Sequence, residues 1–445
     1  MNISLSWKWP ALGATLLLWL AGGCSGEAVR EFFGYSTPRE RYEQALRDAG
    51  LHRTALGGDW LAAAAEALDS PVSVSPPYLE EGYLDPRQTT ATAYRVSLRR
   101  GQLLEVTFES EPDTSYRIFI DLFRVPERLD AQPRHVTSAD SLDRDFDYFT
   151  HRDGDYLVRI QPELLRGGRY SIRVAVKPSL HFPVYGRDAT AIGSRYGDGR
   201  DGGRRRHEGL DIFAPRGTPV IAAAAGVVRS TRDNRLGGNV VWLRDEFGQT
   251  HYYAHLDTQL VRRGQRVTVG DTLGLVGNSG NARSTPPHLH FGLYRRGSYD
   301  PYPALEPLPT TTEDFGGNPN LIGRTVRVTR AAARLRLHPT ARSAILAELP
   351  RHTPLQVAAG SGAWYRVIAP DGTVGFVAAS LTEPTDRPIR HEVLAGGARL
   401  LTDPVPLAVA VDSVSAGAEV PVLAAFGEFL LVQGPSGRVG WLALD

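Results

Sequence analysis

At 445 residues the chain is too long for one small core, and at roughly 100–200 residues per domain it calls for about three to five units. Its net charge is +1, from 50 basic and 49 acidic side chains, so no strong field draws it to nucleic acid, and binding of that kind is set aside. The basic residues are nearly all Arg, a bias read as genomic base composition rather than as a binding surface.

In chain order, Lys8 precedes an apolar run over residues 11–20. At about ten residues it is too short for a ~30 Å hydrocarbon core and reads as the centre of a signal peptide. Leu20-Ala21-Gly22-Gly23-Cys24 follows, and Cys24 is the only cysteine, so no internal disulfide can form. A lone cysteine there resembles a bacterial lipoprotein lipobox, with Ala21 where Leu is usual. That resemblance implies a signal peptide over 1–23, lipidation at Cys24 and a membrane anchor facing the cell envelope. Ser25 after the cysteine favours the outer membrane if the host is Gram-negative. The plain alternative is an ordinary secretory peptide with an incidental cysteine.

Two helical patterns occupy the rest of residues 24–86. The first opens with Thr37 as N-cap and Pro38 at the first position, sets Tyr42, Ala45, Leu46 and Ala49 on one face, and ends at Gly50. The second runs from Asp59 as N-cap through Trp60 to Leu68, and the two form a small hairpin or stalk. From 87 to 180 the period is two, in Tyr94, Val96 and Leu98, in Ile118, Ile120 and Leu122, and in Tyr170, Ile172 and Val174, which predicts an accessory β-sandwich.

Residues 185–308 hold the histidine motifs and are also β-rich, with short strands at 220–228, 240–243, 251–255 and 272–276. After a linker over 309–320 comes a duplication with a constant offset of 65 residues. Trp364-Tyr365-Arg366-Val367 aligns with Phe429-Leu430-Leu431-Val432, and Val374-Gly375-Phe376-Val377 with Val439-Gly440-Trp441-Leu442. Each copy, 321–384 and 385–445, resembles a bacterial SH3-like barrel. In secreted cell-wall enzymes such modules bind the wall or control access to an active site; spacer or dimerisation roles are the alternative. The fold class expected is mainly β and multi-domain, with a short N-terminal helical segment.

The chemistry lies in His207-Glu208-Gly209-Leu210-Asp211, Tyr253-Ala254-His255-Leu256 and His288-Leu289-His290, four histidines and one aspartate within 84 residues. Zinc takes such donors at ~2.0–2.1 Å each. In an extended strand His207 and Asp211 would stand ~13 Å apart, so a bend is needed, and Gly209, permissive of positive φ, lies where it can supply one. His288 and His290 share one face of a strand, so one can ligate while the other works beside it. Three protein ligands leave a fourth position for water, the arrangement of a catalytic site. The helical His-Glu-x-x-His motif is excluded because position 211 is not histidine.

In this order and spacing, His207-x-Gly209-x-Asp211, Tyr253-Ala254-His255-Leu256 and Pro287-His288-Leu289-His290-Phe291 resemble the lysostaphin/LytM-type zinc metalloendopeptidases. Gly217-Thr218-Pro219-Val220 with Gly226, and Gly277-Asn278-Ser279-Gly280, fit the same frame, while the loop over 281–286 departs from it with Pro286 where Gly is usual. The resemblance implies one Zn2+ per chain held by His207, Asp211 and His290, catalytic roles for His255 and His288, and peptidoglycan peptide cross-links as substrate. Activity is then expected to fall below about pH 6, because ligand histidines must be neutral.

His251 stands four residues before His255, a spacing that allows the same strand face, but it lies outside the family pattern. His52, His135, His151, His181, His338, His352 and His391 show no ligand spacing and read as structural or solvated. The rival readings are a catalytically silent or latent regulator of a wall hydrolase, with a regulatory protein partner, and a wall-binding adaptor working through its SH3-like repeats.

Overall fold

The computed structural model of the chain describes residues 37–444 apart from 112–115, 129, 141–143, 201 and 310. The expected signal peptide over 1–23 and the expected lipidation site at Cys24 lie outside the described residues. Among those described, no helix is long and apolar enough to cross a membrane.

Thr37 caps the first helix, Pro38–Asp48, by a reciprocal pair of bonds with Glu40, and Gly50 at φ 72° turns the chain out of it. The second helix, Ala55–Asp69, starts earlier than expected from Asp59, because the Thr54 hydroxyl accepts from the Gly57 N–H at 3.1 Å. Gly57 and Gly58 hide this start from a reading by apolar period. Gly57 itself packs on the Leu51 carbonyl, where a Cβ would stand 2.1 Å from the oxygen. The helices are no stalk. Trp60 is buried against Phe119 and Tyr42, and its indole donates to the Pro162 carbonyl at 2.8 Å.

They cover one face of a five-stranded sheet, in the order Val72–Ser73, Thr92–Leu98, Gly154–Pro162, Ile118–Arg124, Arg134–Ser138. The other face packs on Tyr78–Leu84, Gly168–Pro178, Gln102–Glu111 and Phe146–Phe149 through a core that includes Tyr94, Ile120, Val158 and Ile172. The sandwich therefore begins well before residue 87. Tyr78–Leu84 was not legible because its buried positions, Tyr78, Glu80, Gly82 and Leu84 in alternation, include a charge and a glycine.

That same strand pairs with Pro354–Ser361 of the first repeat, Glu81 opposite Gly360 and Gly82 opposite Ala359, so sandwich and repeat share one sheet. Glu80, wholly buried, accepts from the hydroxyls of Tyr78, Tyr94 and Tyr170 and from Arg366 across the junction, at 2.9 and 3.2 Å. The expected linker is docked too. Phe315 packs edge-on to Tyr365, and Asn318 N–H donates to the Tyr365 hydroxyl at 2.8 Å.

The duplication extends to the strands. Thr325–Val328, Pro354–Ser361, Trp364–Ile368 and Val374–Ala378 recur 65 residues later as Arg390–Val393, Glu419–Phe426, Phe429–Gln433 and Val439–Ala443.

The histidine-bearing unit is a ten-stranded sheet whose central order is Leu210–Phe213, His288–Tyr294, Thr250–Gln259, Gly238–Asp245, Gly226–Asn234. The single strand expected over 220–228 is two, Pro219–Ile221 and Gly226–Asn234. They take different partners, Thr272–Val276 for one and Gly238–Asp245 for the other, so the chain bends between them. The unit adjoins the sandwich where Arg100 lies 3.6 Å over the Tyr299 ring and Leu180 N–H donates to Ala304 O at 3.0 Å.

Candidate active site

Strand alternation sorts the site. In His288–Tyr294 the residues Leu289, Phe291 and Leu293 enter the core, which leaves His288 and His290 on the opposite face. His290 is directly opposite Asp211 on one side and Ala254 on the other, and His288 is opposite Phe213. In Thr250–Gln259, His251 and Tyr253 point inward, so His255 by parity should follow them. It does not. His255 adopts φ 63°, the pairing slips here, and Ala254 and His255 both line the cleft before Leu256 returns to the core. This also removes His251 from the cleft: it is fully buried, with Nε2 3.0 Å from Asp245 Oδ2.

His207 precedes the Leu210–Phe213 strand and folds back onto it. Gly209 serves a different purpose from the one expected, since it is absent from the positive-φ glycines. A Cβ there would stand 2.4 Å from the Phe291 carbonyl oxygen and 2.9 Å from His290 Nε2, so the position needs glycine for close approach.

Three donor atoms converge. His207 Nε2 lies 2.9 Å from Asp211 Oδ1 and 2.9 Å from His290 Nδ1, and His290 Nδ1 lies 3.0 Å from Asp211 Oδ1. Atoms bound tetrahedrally to one zinc at ~2.0–2.1 Å stand about 3.3 Å apart, so this triangle fits such an ion after a small expansion. The chemistry fits as well. His207 donates from Nδ1 to the Arg195 carbonyl at 2.8 Å, which fixes Nε2 as a lone pair aimed at the other two donors. Among the described residues, His207, Asp211 and His290 form a group whose ligand atoms all lie within 4.8 Å of one another.

His255 and His288 hold the same tautomer for the same reason. His255 Nδ1 donates to the Ser279 carbonyl at 2.9 Å and His288 Nδ1 to the Pro286 carbonyl at 2.8 Å, which in the neutral ring puts the lone pair on Nε2. His288 Nε2 stands 3.9 Å from Asp211 Oδ1, and the His255 and His288 rings are 5.0 Å apart.

Residues 205–301 match the Peptidase family M23 model, and residues 331–383 match the Bacterial SH3 domain model. The chain carries an M23 peptidase domain. Over 137 residues the chain is 42% identical to the L-Ala–D-Glu endopeptidase of Bacillus subtilis, across 28% of this chain and 42% of that protein. Over 87 residues it is 42% identical to the peptidoglycan DD-endopeptidase ShyC of Vibrio cholerae, across 20% of each. The chain thus spans less than half the length of these curated relatives. Among solved structures, the catalytic domain of lysostaphin from Staphylococcus simulans is 32% identical, with a TM-score of 0.24 over 26% of this chain and 90% of that one.

In the M23 domain these groups open into a cleft of about 950 Å³, and every residue lining it falls between 193 and 294. Neither the sandwich nor the repeats contribute to its walls. Burial works to raise the Asp211 carboxyl, but the His207 and His290 rings beside it outweigh burial and hold the group well below the usual carboxylate range. Burial, then the neighbouring His288 and His290, lowers His255 to about 4. Burial likewise lowers His290, against the pull of Asp211.

Sequence reasoning missed the outer parts of this site. Arg200 bonds Asp211 Oδ2 at 2.6 Å and Ser194 Oγ at 2.8 Å. Trp242, Tyr252 and Tyr294 cluster on the cleft wall, Tyr252 with its ring centroid 5.8 Å from that of His290. Trp242 and Tyr252 had a legible signal, being one register pair on adjacent strands and out of phase with the core residues. Arg200 had none, because it sits in an arginine-rich loop that composition alone explains.

Proposed function

We propose that the protein is a zinc metalloendopeptidase that hydrolyses peptide cross-links of bacterial peptidoglycan, acting in the cell envelope. The observation that carries this reading is the convergence of His207 Nε2, Asp211 Oδ1 and His290 Nδ1 beside two further histidines held through Nδ1 by backbone carbonyls. The names of the relatives, both endopeptidases and one of them named for peptidoglycan, point the same way.

His207, Asp211 and His290 would hold one zinc ion. Bound there, the ion supplies a polarised scissile carbonyl and a water acidified toward a pKa of ~7. His255 and His288 each present a lone pair when neutral, and one of them would accept the proton that the attacking water loses. That protonated ring would donate to the oxygen that gains charge and then give its proton to the departing amine. Backbone carbonyls at Ser279 and Pro286 keep both rings in the required tautomer throughout. Peptide would lie along the open cleft against Tyr252 and Trp242.

The repeats would bind the wall and bring the cleft to its substrate. Lipidation at Cys24 would anchor the chain to a membrane, the outer one in a Gram-negative host. A silent regulator has no lost ligand to rest on, since all five residues meet in one cleft.

The test is release of soluble fragments from purified peptidoglycan by residues 25–445, with zinc or with chelator, beside His290→Ala. Metal-dependent release that the variant lacks is expected. A chain that binds one zinc and releases nothing would refute the peptidase reading.

A further inference from the structure

Arg200 reaches the proposed donor set without joining it. It stands in a short hairpin, Gly199–Arg200 paired with Arg205–Arg206, at one rim of the cleft. A single nitrogen, Nη2, serves both Asp211 Oδ2 at 2.6 Å and Ser194 Oγ at 2.8 Å. Ser194 in turn donates to Asp198 Oδ2 at 2.8 Å, and Asp198 accepts from Arg195 N–H at 2.8 Å. The guanidinium is therefore held from behind by a chain that ends on the backbone. The two oxygens of Asp211 have separate partners: Oδ1 faces His207 and His290, Oδ2 faces Arg200.

A carboxylate with both oxygens free can grip a divalent cation through both. Together with two imidazole nitrogens that grip would fill four positions, where a catalytic zinc site keeps one open for water. A charge-assisted bond at Oδ2 opposes it. We propose that Arg200 is a positioning residue that restricts Asp211 to ligation through Oδ1 and so keeps a coordination position open. This rests on His207, Asp211 and His290 being the zinc ligands.

The sign of the effect distinguishes this role from general support of the site. A hydrogen-bond donor that only orients a ligand costs about 10–100-fold in metal affinity when removed. Arg200 also withdraws charge from the carboxylate and repels a cation, so its loss should leave affinity undiminished while closing the open position. Lysine should substitute, because one nitrogen already makes both bonds.

The experiment uses residues 25–445 with Co2+ in place of zinc as a visible reporter, in the parent, Arg200→Met and Arg200→Lys, with imidazole at pH 8 as a neutral probe of the open position. Expected are one Co2+ per chain in all three, parental or tighter affinity by chelator competition in Arg200→Met, and an imidazole requirement raised at least about tenfold there alone. With zinc, kcat of Arg200→Met falls at least about tenfold while KM stays within a few-fold. Arg200→Met that takes imidazole at the parental concentration, or that loses its metal, overturns the proposal. So does Arg200→Lys that behaves like Arg200→Met, which keeps the test decisive should the methionine variant fold poorly. A parent that binds no Co2+ sinks the ligand assignment itself, a failure separable from the others.

Discussion

Replacing Arg366 with Met should uncouple two units that look separate in sequence. Glu80 has no exposed surface, and its carboxylate accepts three tyrosine hydroxyls at 2.6–2.8 Å as well as the two bonds from Arg366. Without the guanidinium a buried charge remains with neutral donors only. Breaking such a pair by removing one partner costs about 3–5 kcal/mol, and the three hydroxyls argue for the lower end, about 3 kcal/mol. The penalty has a pH signature. Burial works to raise Glu80, and Arg366 outweighs it, so in the parent the folded group sits below its ordinary value of 4.5. The stability it confers is present above that ordinary value and is lost as pH falls through the depressed folded one. In Arg366→Met only the tyrosine hydroxyls still oppose burial, the carboxyl rises, and proton uptake in mild acid relieves the strain. The deficit should be largest at pH 7 and should shrink toward pH 4. Urea unfolding of Arg366→Met, Glu80→Met and the double variant gives the coupling, expected at about 2 kcal/mol or more. Hydrogen exchange in Tyr78–Leu84 and Pro354–Ser361 should rise together in either single variant. A coupling below about 0.5 kcal/mol, or a deficit that does not change with pH, would refute the reasoning.

Four other outcomes are expected. His255→Ala and His288→Ala should each keep the metal and lose about 10²–10⁴-fold in rate, measured as zinc content and fragment release; loss of zinc from either would make it a ligand. Gly209→Ala forces a Cβ to 2.4 Å from the Phe291 carbonyl oxygen. Overpacking of this kind costs about 1–3 kcal/mol and should weaken zinc binding in chelator competition, while parental values on both counts would mean the strands yield freely. With His255 lowered to about 4 from 6.5, that group stays neutral far into acid, so the loss of activity expected below about pH 6 should come from the ligand histidines and not from this ring. An NMR titration of the His255 ring from about pH 3.5 to 8 checks this, and a midpoint at an ordinary imidazole value would contradict the burial. Deleting 385–445 should leave the M23 domain and sandwich intact, whereas deleting 320–445 strips Arg366 from Glu80 and should lower the sandwich's unfolding midpoint.

What the sequence made legible was what spacing and repetition encode: five chemical residues in three motifs, a duplication at a constant offset, and strands whose apolar residues alternate. What stayed hidden was set by interactions that local pattern does not record. A buried Glu80 breaks the period of its own strand, and it is the distant Arg366, with three tyrosine hydroxyls, that makes the position tolerable. The parity of Thr250–Gln259 would place His255 with His251 in the core; a left-handed residue and a slipped pair place it in the cleft, which no count along the chain reveals. Gly209 was expected to supply the bend between His207 and Asp211, whereas what constrains it is the closeness of the neighbouring strand. In each case the residue that defies its local rule is one that a partner far along the chain explains. Such exceptions gather around the cleft and the junction between units, the two places where this protein gives up regularity for a particular contact.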